Sequence, residues 1–134
     1  MNIISKKKKF EFIIENKTGC RSIKIMRDPV KYVLINLLKN AVESLDSEDG
    51  VITLRISKKN CSLFFELLDT GAGIPEEIKN DIFKPFVSGK TNGSGLGLAI
   101  SLKLAGLCGG KLNVLPNEEN KGKGSKFIFE LPDE

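Results

Sequence analysis

The segment from Asp28 to Leu45 constrains the fold more than any other part of this sequence. Leu34, Leu37, Leu38, Ala41 and Leu45 recur at the i, i+3, i+4, i+7 spacing of one helical face. Asp28 and Pro29 mark a start, because Asp can cap the free backbone donors and proline in the first turn forfeits no hydrogen bond. A helix that is apolar on one side must be covered, and the runs flanking it are strand-like, so a sheet is the expected cover.

Phe10 to Glu15 and Ser22 to Met26 read as short strands across the turn-rich Asn16, Lys17, Thr18 and Gly19, which predicts an opening hairpin. Val51 to Ser57 alternates, and Leu63 to Asp69 is nearly continuous apolar, so these form an adjacent pair joined through Lys58, Lys59 and Asn60. A short helix is expected from Pro75 to Asn80, followed by an irregular segment to Gly95. Leu98 to Leu107 fits a strand by alternation, but its length and its Ala and Leu content favour a helix. Lys111 to Leu115 and Lys126 to Leu131 predict a final strand pair across a polar loop. The expected fold is a single α+β domain over residues 1–134, a two-layer sandwich with a mixed sheet of about five strands and about three helices on one face. Residues 1–9 are expected to be a flexible basic N-terminus.

A hydrophobic fraction of 40% and a charged fraction of 28% are ordinary for a soluble domain. No apolar run approaches the roughly eighteen residues of a membrane span, so no direct membrane contact is expected. The lysine run Lys6 to Lys9 precedes no long apolar segment, which argues against a secretory signal and for the cytoplasm. Cys20, Cys61 and Cys108 are odd in number and widely spaced, and the chain has no histidine, so neither a disulfide framework nor a zinc site is expected. The net charge of +4 is partly the terminal lysine run, and no basic stripe with interleaved aromatics marks a nucleic-acid binder. The missing histidine also removes every mechanism in which this chain itself supplies an imidazole.

Gly89, Lys90 and Thr91 imitate the end of a P-loop, yet that motif needs glycine five residues before its Gly-Lys, and position 84 is Lys84. Gly93, Ser94, Gly95, Leu96, Gly97 and Leu98 run G-x-G-x-G rather than G-x-G-x-x-G and do not follow a strand, so a dinucleotide turn fails too. What remains is a glycine-rich loop entering a helix, able to offer backbone N–H groups to an anion, or an unliganded surface loop.

Two further groups bear on that choice. Asn36 and Asn40, one turn apart, share a face with Glu43 and are expected roughly opposite the leucine stripe, open to solvent or ligand. An amide oxygen is a hard donor suited to Mg²⁺. Asp69 ends a buried strand and is followed by Thr70, Gly71, Ala72, Gly73 and Ile74, where glycines would let a ligand ring approach the backbone. Taken singly, each also fits a solvated surface.

In this order the motifs resemble the ATP-binding domain of the gyrase, chaperone, histidine kinase and mismatch-repair superfamily, the Bergerat fold, and most closely the catalytic domain of two-component sensor histidine kinases. NLLKNAVESL from Asn36 to Leu45 resembles the N box, and DTGAGI from Asp69 to Ile74 the first glycine box. FKPF from Phe83 to Phe86 resembles the F box, and GSGLGL from Gly93 to Leu98 the second glycine box. The resemblance covers about Asp28 to Leu131. It implies ATP as ligand, with Asp69 on the adenine amino group and Gly71 and Gly73 shaping the base pocket. Asn40, helped by Asn36, would hold Mg²⁺ on the phosphates. Phe83 to Gly95 would be a mobile lid, with Gly93, Gly95 and Gly97 presenting backbone to the phosphates and Lys90 placed near the γ-phosphate, as in nitrogen-sensor-like kinases. The chain departs from that subgroup at Val87, Ser88 and Gly89, and carries Cys108, Gly109 and Gly110 where His-Gly-Gly is common.

Superfamily members that hydrolyse ATP or phosphorylate serine resemble one another in a glutamate four residues before the Mg²⁺-binding asparagine, a candidate general base. This chain has Asn36 there, and an amide cannot take a proton. The expectation is ATP:protein histidine phosphotransfer, with the acceptor histidine on a separate helical dimerisation and phosphoacceptor domain and a response regulator receiver domain downstream. The start just before the first strand suggests a fragment of a larger kinase, which could be membrane-anchored. A serine kinase of the anti-sigma type, an ATPase, and a non-enzymatic nucleotide-responsive docking module stay open.

Overall fold

The computed structural model describes residues 9–45, 49–87 and 96–132. Seven elements follow in chain order: β1 (Phe10–Asn16), α1 (Arg27–Ser44), β2 (Gly50–Lys59), β3 (Ser62–Asp69), α2 (Gly97–Leu107), β4 (Lys111–Pro116) and β5 (Ser125–Pro132). The strands form one mixed sheet in the order β1-β2-β3-β5-β4, and both helices lie on one face. The expected two-layer α+β sandwich is what the chain adopts, with two α-helices among the described residues. The third expected helix is a single tight turn, Glu76–Ile78, continued by i→i+3 bonds from Asp81 N–H to Ile78 and from Lys84 N–H to Asp81. Only Ile82 in that stretch is deeply buried, which is too little apolar face to hold a longer helix.

The opening hairpin does not form. Its turn does, with Thr18 N–H donating to Asn16 Oδ1 at 3.0 Å, but Ser22 to Met26 is not a strand. β1 instead pairs in parallel with β2, from Phe10 opposite Gly50 to Asn16 opposite Ile56. A parallel neighbour needs a crossover, and α1 is that crossover. Asp28 is not the cap either: α1 begins at Arg27, Met26 stands at the cap position without a side-chain bond, and Asp28 pairs with Arg27 at 3.4 Å. Pro29 thus sits third in the helix, where its missing N–H is still among those with no partner in the helix.

The core joins Val30, Val33, Leu37, Ala41 and Leu45 of the first helix and its end to Ile52, Leu63, Phe65, Leu67, Phe127, Phe129 and Leu131 of the sheet. Alternate strand residues supply it, so one sheet face is apolar and the other carries Arg55, Glu66 and Lys126. In α2, Ser101 and Ala105 are buried and Leu98 and Leu104 pack on the core, while Ile100 and Leu102 are exposed. That inward set has helical spacing and decides against the strand alternative for this segment. The β2–β3 turn is tighter than the sequence suggested, with Lys59 still paired to Ser62 and Asn60 at φ 58°, a left-handed conformation asparagine tolerates.

Candidate functional site

The C-terminal end of β3 meets the C-terminal end of α1 and the start of β5, and Asp69 lies at that junction. Its side chain is 1% exposed, an expensive place for a carboxylate unless hydrogen bonds replace water. Among the described residues, four donors lie within reach. Oδ1 accepts from the N–H of Gly71 at 2.9 Å and of Ser125 at 3.3 Å, with the Ser44 hydroxyl at 3.1 Å. Oδ2 accepts from the Ser125 hydroxyl at 2.8 Å. The Ser44 proton is shared with the Ala41 carbonyl at 3.0 Å. A carboxylate offers about four lone-pair sites, so Oδ1 is crowded while Oδ2 keeps capacity for one more donor.

The loop after Asp69 turns back onto α1. Ala72 N–H donates to the Ser44 carbonyl at 3.1 Å, satisfying one of the open acceptors at the helix end. A side chain at Gly71 would collide with that same carbonyl and with the Ser44 hydroxyl, so only glycine permits the approach. Gly73 has φ +81°, and Ile74 beyond it packs on the core. Phe83 stands edge-on to Phe127, ring centroids 6.5 Å apart, which fixes the far wall of this end of the sheet. Phe86, by contrast, is 77% exposed and has a positive φ of 67°.

Asn36 and Asn40 do not stand opposite the buried stripe, as the leucine spacing suggested. The buried stripe is centred on Val30, Val33, Leu37 and Ala41, which turns the two asparagines onto its flank, beside α2. Asn36 is half-buried and its Nδ2 donates to Ser101 Oγ at 3.0 Å, which leaves its Oδ1 against Gly97. A Cβ at Gly97 would run into that amide. The amide nitrogen of Asn40 is buried, and Glu43, a turn further, is exposed. α2 opens here with Leu96 at the cap position and no side-chain cap, and its first residue, Gly97, lies against the Asn36 amide. Asn36, Asn40, Gly97 and Leu98 therefore form one group and Asp69, Gly71, Gly73 and Ile74 another, joined through α1. Lys90, Gly93, Ser94 and Gly95 lie outside the described residues.

Ser44, Ser125 and Asn117, to which the sequence motifs give no role of their own, all hydrogen-bond Asp69. The signal for Ser125 was Gly122, Lys123 and Gly124 directly before the last strand, a second glycine pair beside a polar residue. Among the described residues no group of three or more His, Cys, Asp or Glu could cage a metal.

Residues 26–134 match the family described as histidine kinase-, DNA gyrase B- and HSP90-like ATPases. The chain is 38% identical over 103 residues to the C4-dicarboxylate transport sensor protein DctB of Rhizobium meliloti, covering 76% of this chain and 16% of that protein. It is 31% identical over 110 residues to sporulation kinase D of Bacillus subtilis, covering 82% and 21%. The chain thus spans well under a third of the curated relatives it matches. Among solved structures, the catalytic domain of histidine kinase ThkA superposes with a TM-score of 0.79 at 35% identity, over 92% of this chain and 80% of that one. Histidine kinase ThkA in complex with the response regulator protein TrrA gives 0.75 at 31% identity, over 93% and 34%. The chain belongs to the histidine kinase-, DNA gyrase B- and HSP90-like ATPase family, with the fold of a histidine kinase catalytic domain.

Proposed function

We propose that this chain binds Mg²⁺·ATP and transfers the γ-phosphoryl group to a histidine of a separate helical dimerisation and phosphoacceptor domain, in a two-component kinase. The observation that carries the reading is Asp69: a buried carboxylate with one acceptor site left at Oδ2, at the mouth of a loop whose glycines let a ring lie close. An exocyclic adenine amino group is the donor that site fits, with Gly71, Gly73 and Ile74 beside the base. Phe83 and Phe86 border the same end of the fold.

The triphosphate then extends toward α2. Its N-terminal N–H groups, from Gly97 and Leu98 onward, suit the negative charge, and Leu96 brings the chain to them. Asn40 and Asn36 would hold Mg²⁺, which when bound neutralises charge on the phosphates. Glu43, exposed on the same helix, borders the metal side. Gly93, Ser94, Gly95 and Lys90 are assigned to the phosphates from the sequence alone, Lys90 as the cation for the transferring group.

In the transfer, an acceptor imidazole nitrogen forms a bond to the γ-phosphorus as the bond to the β,γ-bridging oxygen breaks, releasing ADP. The imidazole is already a nucleophile, so no base is needed to activate it. Asn36 cannot take a proton, which suits this acceptor and disfavours water or serine. With no histidine in its 134 residues, the chain must receive the acceptor from outside. The solved complex of ThkA with a response regulator supports a receiver domain as the next partner. A domain that uses ATP and such partners would work in the cytoplasm; separately, no helix among the described residues is long and apolar enough to cross a membrane.

The purified chain should bind ATP in a Mg²⁺-sensitive manner, by calorimetry, and turn it over slowly. Rapid hydrolysis by the chain alone would put it with the ATPases instead.

A further inference from the structure

Asp69 is held by its backbone as well as its side chain, and the second hold comes from a residue with no part in the reading above. Asn117 directly follows β4 and is 4% exposed; its Nδ2 donates to the Asp69 carbonyl at 2.8 Å. The β3–β5 ladder ends at Leu68 opposite Lys126, so Asp69 lies one residue past the last rung on that side. Asn117 supplies with a side chain the donor that another rung would have supplied from backbone. On the other side the β2–β3 ladder ends at Ile52 opposite Asp69, and there the Val51 N–H donates to the Thr70 hydroxyl at 3.0 Å. The end of β3 is thus tied down on both edges by side chains.

Asn117 is itself firmly placed. Its N–H donates to the Gly124 carbonyl at 3.2 Å, and its carbonyl accepts from Asn120 at 3.0 Å and Gly122 at 2.9 Å. Two residues on, Glu119 accepts both terminal nitrogens of Arg55, at 2.7 and 2.9 Å, while Arg55 Nε donates to Glu15 at 2.8 Å. The β4–β5 loop is therefore pinned to the outer face of the sheet. Asn117 Oδ1 is buried and makes no hydrogen bond among the described residues. A buried amide with one idle end is a costly way to fill space, so packing does not account for asparagine here; its donor end does.

We infer that Asn117 is a positioning residue for the carboxylate of Asp69: by fixing the carbonyl at the end of β3 it aims Oδ2, and so sets the preference for a purine with an exocyclic amino group. The inference rests on the adenine reading of Asp69. A displacement of half an ångström or so at such a site is enough to spoil a directional hydrogen bond.

The test is competition binding to the whole chain of ATP against purine riboside triphosphate, which lacks the exocyclic amino group. The unmodified chain should favour ATP about tenfold to a hundredfold, the size of one hydrogen bond to a charged acceptor. In Asn117→Ala that ratio narrows at least threefold, because ATP loses affinity and the analogue loses less. Both affinities falling together with the ratio kept, or no change in either, overturns the inference, since that is what a merely structural asparagine gives. If circular dichroism shows Asn117→Ala unfolded, Asn117→Leu, close to asparagine in shape but without the donor or a buried charge, is read the same way. A ratio near one in the unmodified chain sinks the adenine reading and this inference with it. A large ratio that survives the substitution sinks the inference alone.

Discussion

Ser125 grips Asp69 twice, its hydroxyl donating to Oδ2 at 2.8 Å and its backbone N–H to Oδ1 at 3.3 Å. The first residue of β5 thereby sets the carboxylate that ends β3. Ser125→Ala removes the hydroxyl bond and keeps the N–H. A buried hydrogen bond to a charged group is worth about 1.5–3 kcal/mol, and the other donors on Asp69 remain, so a loss of about 1–2 kcal/mol is expected in urea unfolding. ATP affinity should fall by less than about tenfold, because Gly71 and Ser44 still orient the carboxylate. Unchanged stability would contradict this geometry.

At Gly97 two effects compete. Alanine gains up to about 1 kcal/mol of helix propensity, and less than that in the first turn. Its Cβ, however, would strike the Asn36 amide, which is held in place by Ser101, and overpacking costs about 1–3 kcal/mol. Overpacking wins, so Gly97→Ala should lower the melting temperature and weaken ATP binding. A more stable Gly97→Ala would mean that Asn36 moves freely.

Asn40→Ala should separate metal from base. ATP affinity in excess Mg²⁺ should drop to the level measured with chelator, while adenosine, which has no phosphates, should bind within about twofold of the unmodified chain. A matching loss for adenosine would show instead that Asn40 supports the base pocket. Calorimetry with the two ligands checks this.

The pinned β4–β5 loop has a pH signature. Hydrogen bonding to Arg55 holds Glu119 below the ordinary glutamate value of 4.5, burial opposes this, and the charges of Arg55, Lys126 and Lys17 add to the lowering. A carboxylate lowered on folding stabilises the fold above its unfolded value and loses that contribution as pH falls through the folded one. Glu119 is 55% exposed, so screening keeps the effect below about 1 kcal/mol. Glu119→Gln should therefore be slightly less stable at pH 7, with the difference closing below pH 4.5. Urea midpoints at three pH values check the trend; a difference that widens in acid would contradict it.

Much of the fold was legible in the sequence because the relevant patterns were local. Leu37, Ala41 and Leu45 announced α1, alternation announced β2, and Asp69 with its glycines announced the end of a buried strand. The parallel pairing of β1 with β2 was not legible, since Ser22 to Met26 has strand-like composition and only the crossover of α1 removes its partner. The flank position of Asn36 and Asn40 was misread because Val30 and Val33, before the leucines, also belong to the buried stripe. Ser44, Asn117 and Ser125 were hidden for a different reason: each meets Asp69 across 25, 48 or 56 positions of chain, and no periodicity reports such contacts.

The most direct test of the central claim combines this chain with radiolabelled Mg²⁺·ATP and a helical histidine phosphoacceptor domain from a relative. Label should appear on the acceptor as an acid-labile, base-stable phosphohistidine, and should vanish with Asp69→Asn. Acid-stable label on serine, or phosphate released to water as fast with the acceptor as without it, would contradict the account.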